Sequence, residues 1–251
     1  MILTITQLKR NSVVTKLSVN INKLATLRNS RGKNNPDVQA WAQEIEAYGV
    51  HGITVHPRPD ERHIRYHDVE LLKPLVRGEF NIEGYPDERW IELVAAVHPH
   101  QATLVPDPPG ALTSNAGFDV KVSRAFLEKA IGQLKQHTPS LRVSVFIEPG
   151  RFSKEEARAL RELGADRIEM YTEKYADDPR SVGEYRELAD LALHAGLGLN
   201  AGHDLTSENL PALIHAIPEI EEVSIGHALI CDAPRFGMKE TIGRYLAALG
   251  R

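Results

Sequence analysis

Residues 142–171 read RVSVFIEPGRFSKEEARALRELGADRIEMY, and this one segment contains the unit from which the whole chain is built. Arg142–Ile147 is a run of β-branched and aromatic residues, the composition of a strand. Ser153-Lys154-Glu155-Glu156 then forms a capping box, in which a hydroxyl at the helix start is answered by a glutamate three residues on. The spacing predicts a helix over 153–163, and Gly164 supplies the residue that most readily ends one. Arg167–Tyr171 is the next strand.

The same alternation extends in both directions. Strands are expected at 17–21, 52–56, 79–83 and 102–105 before this segment, and at 198–201 and 222–225 after it. Helices are expected at 37–48, 67–76, 86–97, 123–137, 182–194, 208–217 and 238–249. Asn35-Pro36-Asp37 and Pro86-Asp87-Glu88 mark helix starts, where a proline loses nothing and acids face the positive helix end. Eight strands alternating with eight helices argue for an α/β fold with a parallel sheet, closed as a (β/α)8 TIM barrel. An open doubly wound sheet is the rival. Its first turn usually carries glycines for a dinucleotide, and here that turn reads Asn20-Ile21-Asn22-Lys23. No linker, repeat or low-complexity tract divides the chain. A single domain is expected over 1–251, with a short N-terminal extension at 1–15 and the barrel at 16–251; 251 residues is an ordinary size for one barrel.

The formal net charge of −4 points to neither a nucleic-acid partner nor an anionic membrane surface. A single cysteine, Cys231, rules out an intramolecular disulfide and a cysteine-built zinc site. The first fifteen residues do not read as a secretory signal, because Lys9-Arg10 follow the apolar residues instead of preceding them. No apolar run approaches the roughly 20 residues of a membrane span. A cytoplasmic location is expected.

In a barrel, chemistry gathers where strands end and βα loops begin. Strand 1 ends in Asn20, Asn22 and Lys23, with Arg28 and Arg31 beyond them. Strand 2 ends in His56, followed by Arg58 and His63, and strand 3 ends in Glu83. The loop after strand 4 carries Thr113 and Ser114; strands 5 and 6 bring Glu148 and Glu169. Strand 7 ends in Gly202-His203 and strand 8 in Gly226-His227. Each residue has a plainer reading when taken singly. A lone strand-end histidine is more often a structural hydrogen-bonder than a catalyst. A lone glutamate braces a loop as readily as it moves a proton. Convergence changes the balance, since barrel closure brings all eight strand ends to one mouth.

Two kinds of chemistry are present at that mouth. Arg28, Arg31, Arg58 and His63 suit an anion, as do the backbone amides around Gly202 and Gly226, where the missing side chain lets an anion come close. His56, Glu83 and His203 supply acid and base near neutral pH. A metal is the rival use of His56, Glu83, His203 and His227, but no strand carries the closely spaced histidine pair of metal-dependent barrel hydrolases.

At these strand ends the chain resembles the pyridoxine 5′-phosphate synthase family. The matching segments include Val19-Asn20-Ile21-Asn22-Lys23, Leu27-Arg28-Asn29-Ser30-Arg31-Gly32, Gly52-Ile53-Thr54-Val55-His56-Pro57-Arg58, Phe80-Asn81-Ile82-Glu83, Asn200-Ala201-Gly202-His203 and Ile225-Gly226-His227-Ala228. The resemblance implies condensation of 1-deoxy-D-xylulose 5-phosphate with 3-amino-2-oxopropyl phosphate to pyridoxine 5′-phosphate, phosphate and water. By that resemblance His56 and Glu83 are proton acceptors and His203 the donor. Asn20, Gly226 and His227 hold the aminoketone phosphate. Arg58, His63 and Thr113 contact the deoxyxylulose phosphate, with Arg31, Asn22, Lys23 and Gly202 at the same mouth. It further implies no cofactor, no metal, no nucleic-acid or membrane partner, and a homo-oligomer, an octamer of barrels. One departure stands out: many members read Asp-His where this chain has Asn22-Lys23. Two other readings remain, a phosphate-binding barrel isomerase or aldolase with Lys23 as Schiff base, and a catalytically silent barrel acting as a binding module. Retention of His56, Glu83 and His203 argues against the last.

Overall fold

Along each strand the residues alternate between apolar side chains, which the helices cover, and polar ones, which face each other across the barrel. The computed structural model describes residues 13–107, 114 and 116–251. Its strands are β1 (Lys16–Asn20), β2 (Gly52–Val55), β3 (Glu79–Gly84), β4 (Gln101–Leu104), β5 (Arg142–Ile147), β6 (Arg167–Tyr171), β7 (Gly198–Gly202) and β8 (Ile220–Ile225). Each pairs in parallel with the next, and β8 pairs with β1 through Ser18–Ser224 and Val19–Ile225, closing the barrel. Leu17, Val19, Ile53, Phe80, Ile82, Val143, Val145, Ile168 and Val223 are fully buried beneath the helices. Their polar neighbours fill the interior. Ser18 Oγ lies 2.7 Å from Thr54 Oγ1, Thr103 donates to Asn81 at 3.2 Å, and Gln101 donates to Glu222 at 3.1 Å.

The helices are α1 (Asn22–Asn29), α2 (Val38–Ala47), α3 (Tyr66–Leu72), α4 (Glu88–Val97), α5 (Val120–His137), α6 (Lys154–Glu162), α7 (Glu173–Asp177), α8 (Val182–His194), α9 (Leu210–Ala216), α10 (His227–Phe236) and α11 (Met238–Ala248). The expected capping box is present: Ser153 Oγ accepts from Glu156 N at 3.2 Å and Glu156 accepts from Ser153 N at 2.9 Å. The eight-unit rhythm holds, with additions. α1 occupies what reads as a polar loop, and α10 precedes the final helix. Neither start has a side-chain cap, and α10 carries Pro234 near its end, so the usual boundary signals are absent. Of the N-terminal extension, residues 1–12 lie outside the described residues; Thr15 Oγ1 donates to Ile220 O at 2.8 Å. Among the described residues no helix is long and apolar enough to cross a membrane.

One expected anion ligand has a different task. Arg28 is buried and donates to both oxygens of Asp68, at 2.6 and 2.8 Å, and to His63 O at 3.3 Å. Asp68 also accepts from Arg65 N at 2.8 Å, at the start of α3. The pair ties α1 to α3 and braces the chain at His63. Arg28→Ala should therefore lower stability in urea unfolding by about 3–5 kcal/mol, the cost of stranding a buried carboxylate. Arg28→Met combined with Asp68→Leu should recover much of that loss; equal losses in single and double variants would refute the pairing.

Candidate active site

Closure of the barrel places the ends of β1, β2, β3, β7 and β8 around a cavity of about 570 Å³. At its floor stands Glu83, with little of its surface open to solvent. Asn20 Nδ2 donates to Glu83 Oε2 at 3.3 Å, and Ser224 Oγ donates to Oε1 at 3.2 Å. His56, also buried, holds Nδ1 3.7 Å from Oε2, a separation that one small movement converts to a hydrogen bond. Asparagines make the junction rigid. Asn20 Oδ1 accepts from Asn22 N at 3.0 Å, and Asn22 Oδ1 accepts from His56 N at 2.9 Å, so the turn after β1 fixes the end of β2.

Around this floor lie groups of contrasting charge. His63 accepts the Ile64 N–H on Nδ1 at 2.9 Å, which assigns its proton to Nε2. Burial, and then the charges of His56, Arg58, Arg62 and Lys23, drive its pKa down to about 3. It is a neutral donor. Arg58 is buried and ion-paired with Asp107 at 2.7 Å, and Asp107 also accepts from Ser114 Oγ at 2.6 Å. Lys23 stands exposed at the rim. On the opposite side His203 lies 2.7 Å, through Nδ1, from Asp204 Oδ2 and presents its ring edge-on to Tyr171. Burial opposes charge on this imidazole, but the Asp204 carboxylate outweighs it and raises the pKa above the ordinary value. His203 is the member of the pair whose charged form is favoured.

The cavity also has an apolar wall of Val105 and Phe146, which Tyr171 backs in a small buried cluster. Opposite it, α1 and α10 open toward the mouth. The α10 start lacks a side-chain cap, so its first N–H groups suit an anion, whereas at α1 the first N–H, that of Asn22, is already bonded to Asn20 Oδ1. Gly226 precedes α10, and a Cβ there would press against Asn20 at 3.0 Å. At Gly202 a side chain would run into the Glu169 carboxyl.

Asn20, Asn22, Lys23, His56, Arg58, His63, Glu83, His203, Gly226 and His227 thus line one cavity. Gly202 lies just behind its wall, Arg31 is exposed on the turn after α1 away from it, and Thr113 falls outside the described residues. Among the described residues no three His, Cys, Asp or Glu side chains converge in the manner of a metal site. Glu169, expected at the end of strand 6, also joins the cavity, and so do three residues not expected there: Ser224, Asp204 and Phe146. Glu169 had been legible as a strand-6 carboxyl, because it alternates with Ile168 and Met170 and so must face inward.

Comparison with known proteins follows the same residues. Residues 17–251 match the family described as "Pyridoxal phosphate biosynthesis protein PdxJ". A pyridoxine 5′-phosphate synthase of Parabacteroides distasonis is 52% identical over 241 residues, covering 94% of this chain and 99% of the relative. One from Phocaeicola vulgatus is 51% identical, covering 92% and 98%. Among solved structures, KGPDC from Streptococcus mutans superposes with a TM-score of 0.64 at 10% identity, covering 94% of this chain and 98% of that one. A mutant tryptophan synthase alpha-subunit from Pyrococcus furiosus gives 0.64 at 11%, with the same coverage. These structural neighbours share the fold.

Glu169 itself yields a test. It is fully enclosed, and burial first, then the negative charges of Glu83 and Glu222, push its carboxyl well above the usual range. A raised folded-state pKa means stability that is complete below the unfolded pKa and lost as pH rises through the folded one. Glu169→Gln removes that loss. Its gain in urea midpoint over the wild type should be larger at pH 8 than at pH 5, and a gain independent of pH would contradict the buried-acid assignment.

Proposed function

The chain belongs to the PdxJ family of pyridoxal phosphate biosynthesis proteins and is an enzyme of vitamin B6 formation; on that premise we propose how its cavity joins two phosphorylated substrates. The reading is condensation of 1-deoxy-D-xylulose 5-phosphate with 3-amino-2-oxopropyl phosphate, giving pyridoxine 5′-phosphate, inorganic phosphate and water. One observation carries it: Glu83, with His56 beside it, shares with the Asp204-paired His203 a cavity whose rim also carries Arg58, Lys23 and the start of α10.

Two phosphates need two anion sites. The aminoketone phosphate is assigned to the start of α10, with Gly226, His227 and Asn20. The deoxyxylulose phosphate is assigned to Arg58 and His63, with Lys23 at the rim and Thr113; Arg31 lies away from the cavity and is not assigned to it. The neutral His63 donates a hydrogen bond without adding charge, and its contribution does not change across the working pH range. Arg58 arrives already oriented by Asp107.

Imine formation, enolisation, phosphate loss and ring closure are each a carbon–heteroatom or carbon–carbon bond change coupled to proton transfer. Glu83 and His56 take protons from the condensing carbons. His203 returns a proton to a departing hydroxyl, which leaves as water. Glu169, held neutral beneath them, is a hydrogen-bond donor to oxygen that becomes negative during these steps. Val105 and Phe146, the latter packed on Tyr171, give the forming ring an apolar surface. The reading includes a cytosolic homo-oligomer, an octamer of barrels, each subunit one domain.

The test is direct. Purified protein, given deoxyxylulose phosphate and freshly generated aminoketone phosphate, should produce pyridoxine phosphate absorbance and inorganic phosphate at the same rate with and without chelator. Glu83→Gln should keep substrate affinity within about threefold and lose roughly 10²–10⁴ in turnover, the range of a general base. Near-normal turnover in that variant would sink the assignment.

A further inference from the structure

We propose that Asp204 is the positioning residue of the proton donor: its carboxylate accepts the Nδ1 proton of His203 and so fixes Nε2 as the nitrogen that delivers a proton to substrate. The inference rests on the reading of His203 as donor and extends it to a neighbour that reading does not use.

Adjacent residues on a strand point to opposite faces, so His203 and Asp204 should not meet. They meet because the backbone turns left-handed twice in succession, with φ of 78° at His203 and 56° at Asp204. That region is uncommon for residues other than glycine, and Asp enters it more readily than His. Such strain persists only where the surroundings impose it. Here they do so from both sides. Thr172, following β6, donates its N–H to Gly202 O at 3.1 Å and its hydroxyl to the same oxygen at 2.8 Å, and it also reaches His203 O. Asn209, ahead of α9, donates from Nδ2 to Asp204 O at 3.2 Å. The Tyr171 ring, 5.0 Å from the imidazole and 76° to its plane, sets the remaining face. The product of all this constraint is one contact, Nδ1 to Oδ2 at 2.7 Å.

The charges around the pair point the same way. His203 faces Asp204 on its own loop, Glu173 at the start of α7 and Glu83 at the end of β3, while His227 at the start of α10 acts on Asp204. Burial opposes the imidazolium, yet these carboxylates outweigh it, Asp204 foremost. The Asp204 carboxyl is held below its ordinary range by the same hydrogen bond. The two partners therefore agree: a carboxylate beside an imidazolium. A donor must be protonated before it acts, so this pair extends the donor's working range toward alkaline pH.

Two variants separate carboxylate from backbone. Asp204→Asn keeps the size and removes the charge; Asp204→Gly removes the side chain and tolerates φ of 56° without strain. Both are followed by NMR titration of the His203 ring nitrogens and by the pH profile of kcat. In each, the His203 midpoint should fall by roughly one pH unit, the lower end of what an adjacent opposite charge supplies. The alkaline limb of kcat should move with it, so the turnover loss grows with pH and reaches about tenfold at pH 8.5. KM for both substrates should stay within about twofold. A His203 midpoint unmoved in both variants overturns the proposal, as does a rise in KM with kcat untouched. A midpoint that falls while the kcat limb stays in place overturns His203 as the donor, and the proposal with it.

Discussion

A polar side chain inside a closed barrel cannot turn outward to water, so it must find its partner across the lumen. This constraint organises the molecule. At the base, Gln101 holds Glu222, Arg142 holds Gln101, and Asn200 bonds both Gln101 and Arg167. In the middle, Ser18, Thr54, Asn81 and Thr103 form a chain of short polar groups. At the top the chain reaches Glu169, Glu83 and Ser224. The catalytic floor is the uppermost layer of this network. Its carboxyls are held by partners that belong to the barrel itself, which is the sense in which the site is preorganised.

That continuity explains how similar groups come to do different jobs. Burial, and then the charges of Glu83 and Glu222, push the Glu169 carboxyl upward and favour its neutral form. Glu222 is also pushed up by burial, partly offset by Arg167 and Arg142. The two histidines across the mouth diverge for the opposite reason. His63 is buried among cations and stays neutral, whereas His203 has three carboxylates around it that raise its pKa and favour its charged form. Neither residue type decides its own role; position in the charge pattern does.

How much of this could be read from the chain follows from the same physics. Strands announced themselves through short β-branched runs, and the capping box at Ser153 located its helix to within a residue. Eight units required closure, and closure brought His56, Glu83 and His203 together although 147 positions separate the first from the last. α1 and α10 were not legible, because an uncapped start and an interior proline remove the signals on which such a reading depends. Arg28 resembled an anion ligand in sequence, yet its charge is spent on Asp68. No spacing rule links residues 28 and 68; only the fold does. Asp204 was invisible for a subtler reason, since its contact exists only through two left-handed backbone positions.

The departure at Asn22-Lys23 can now be divided into two parts. Asn22 acts through Oδ1, which accepts from the backbone N–H of His56, and a carboxylate oxygen at that position performs the same service. The exchange of Asp for Asn therefore preserves the brace on β2 while removing a negative charge beside His56. Lys23 stands at the rim, where a permanent cation replaces an imidazole that would titrate. Its field reaches His63 and contributes to keeping that ring neutral. Both changes act in one direction, making the mouth more positive without altering its frame. The substitution thus leaves in place the geometry of His56, Glu83 and His203, to which the acid–base roles are proposed, and shifts the balance of charge at the rim of the cavity.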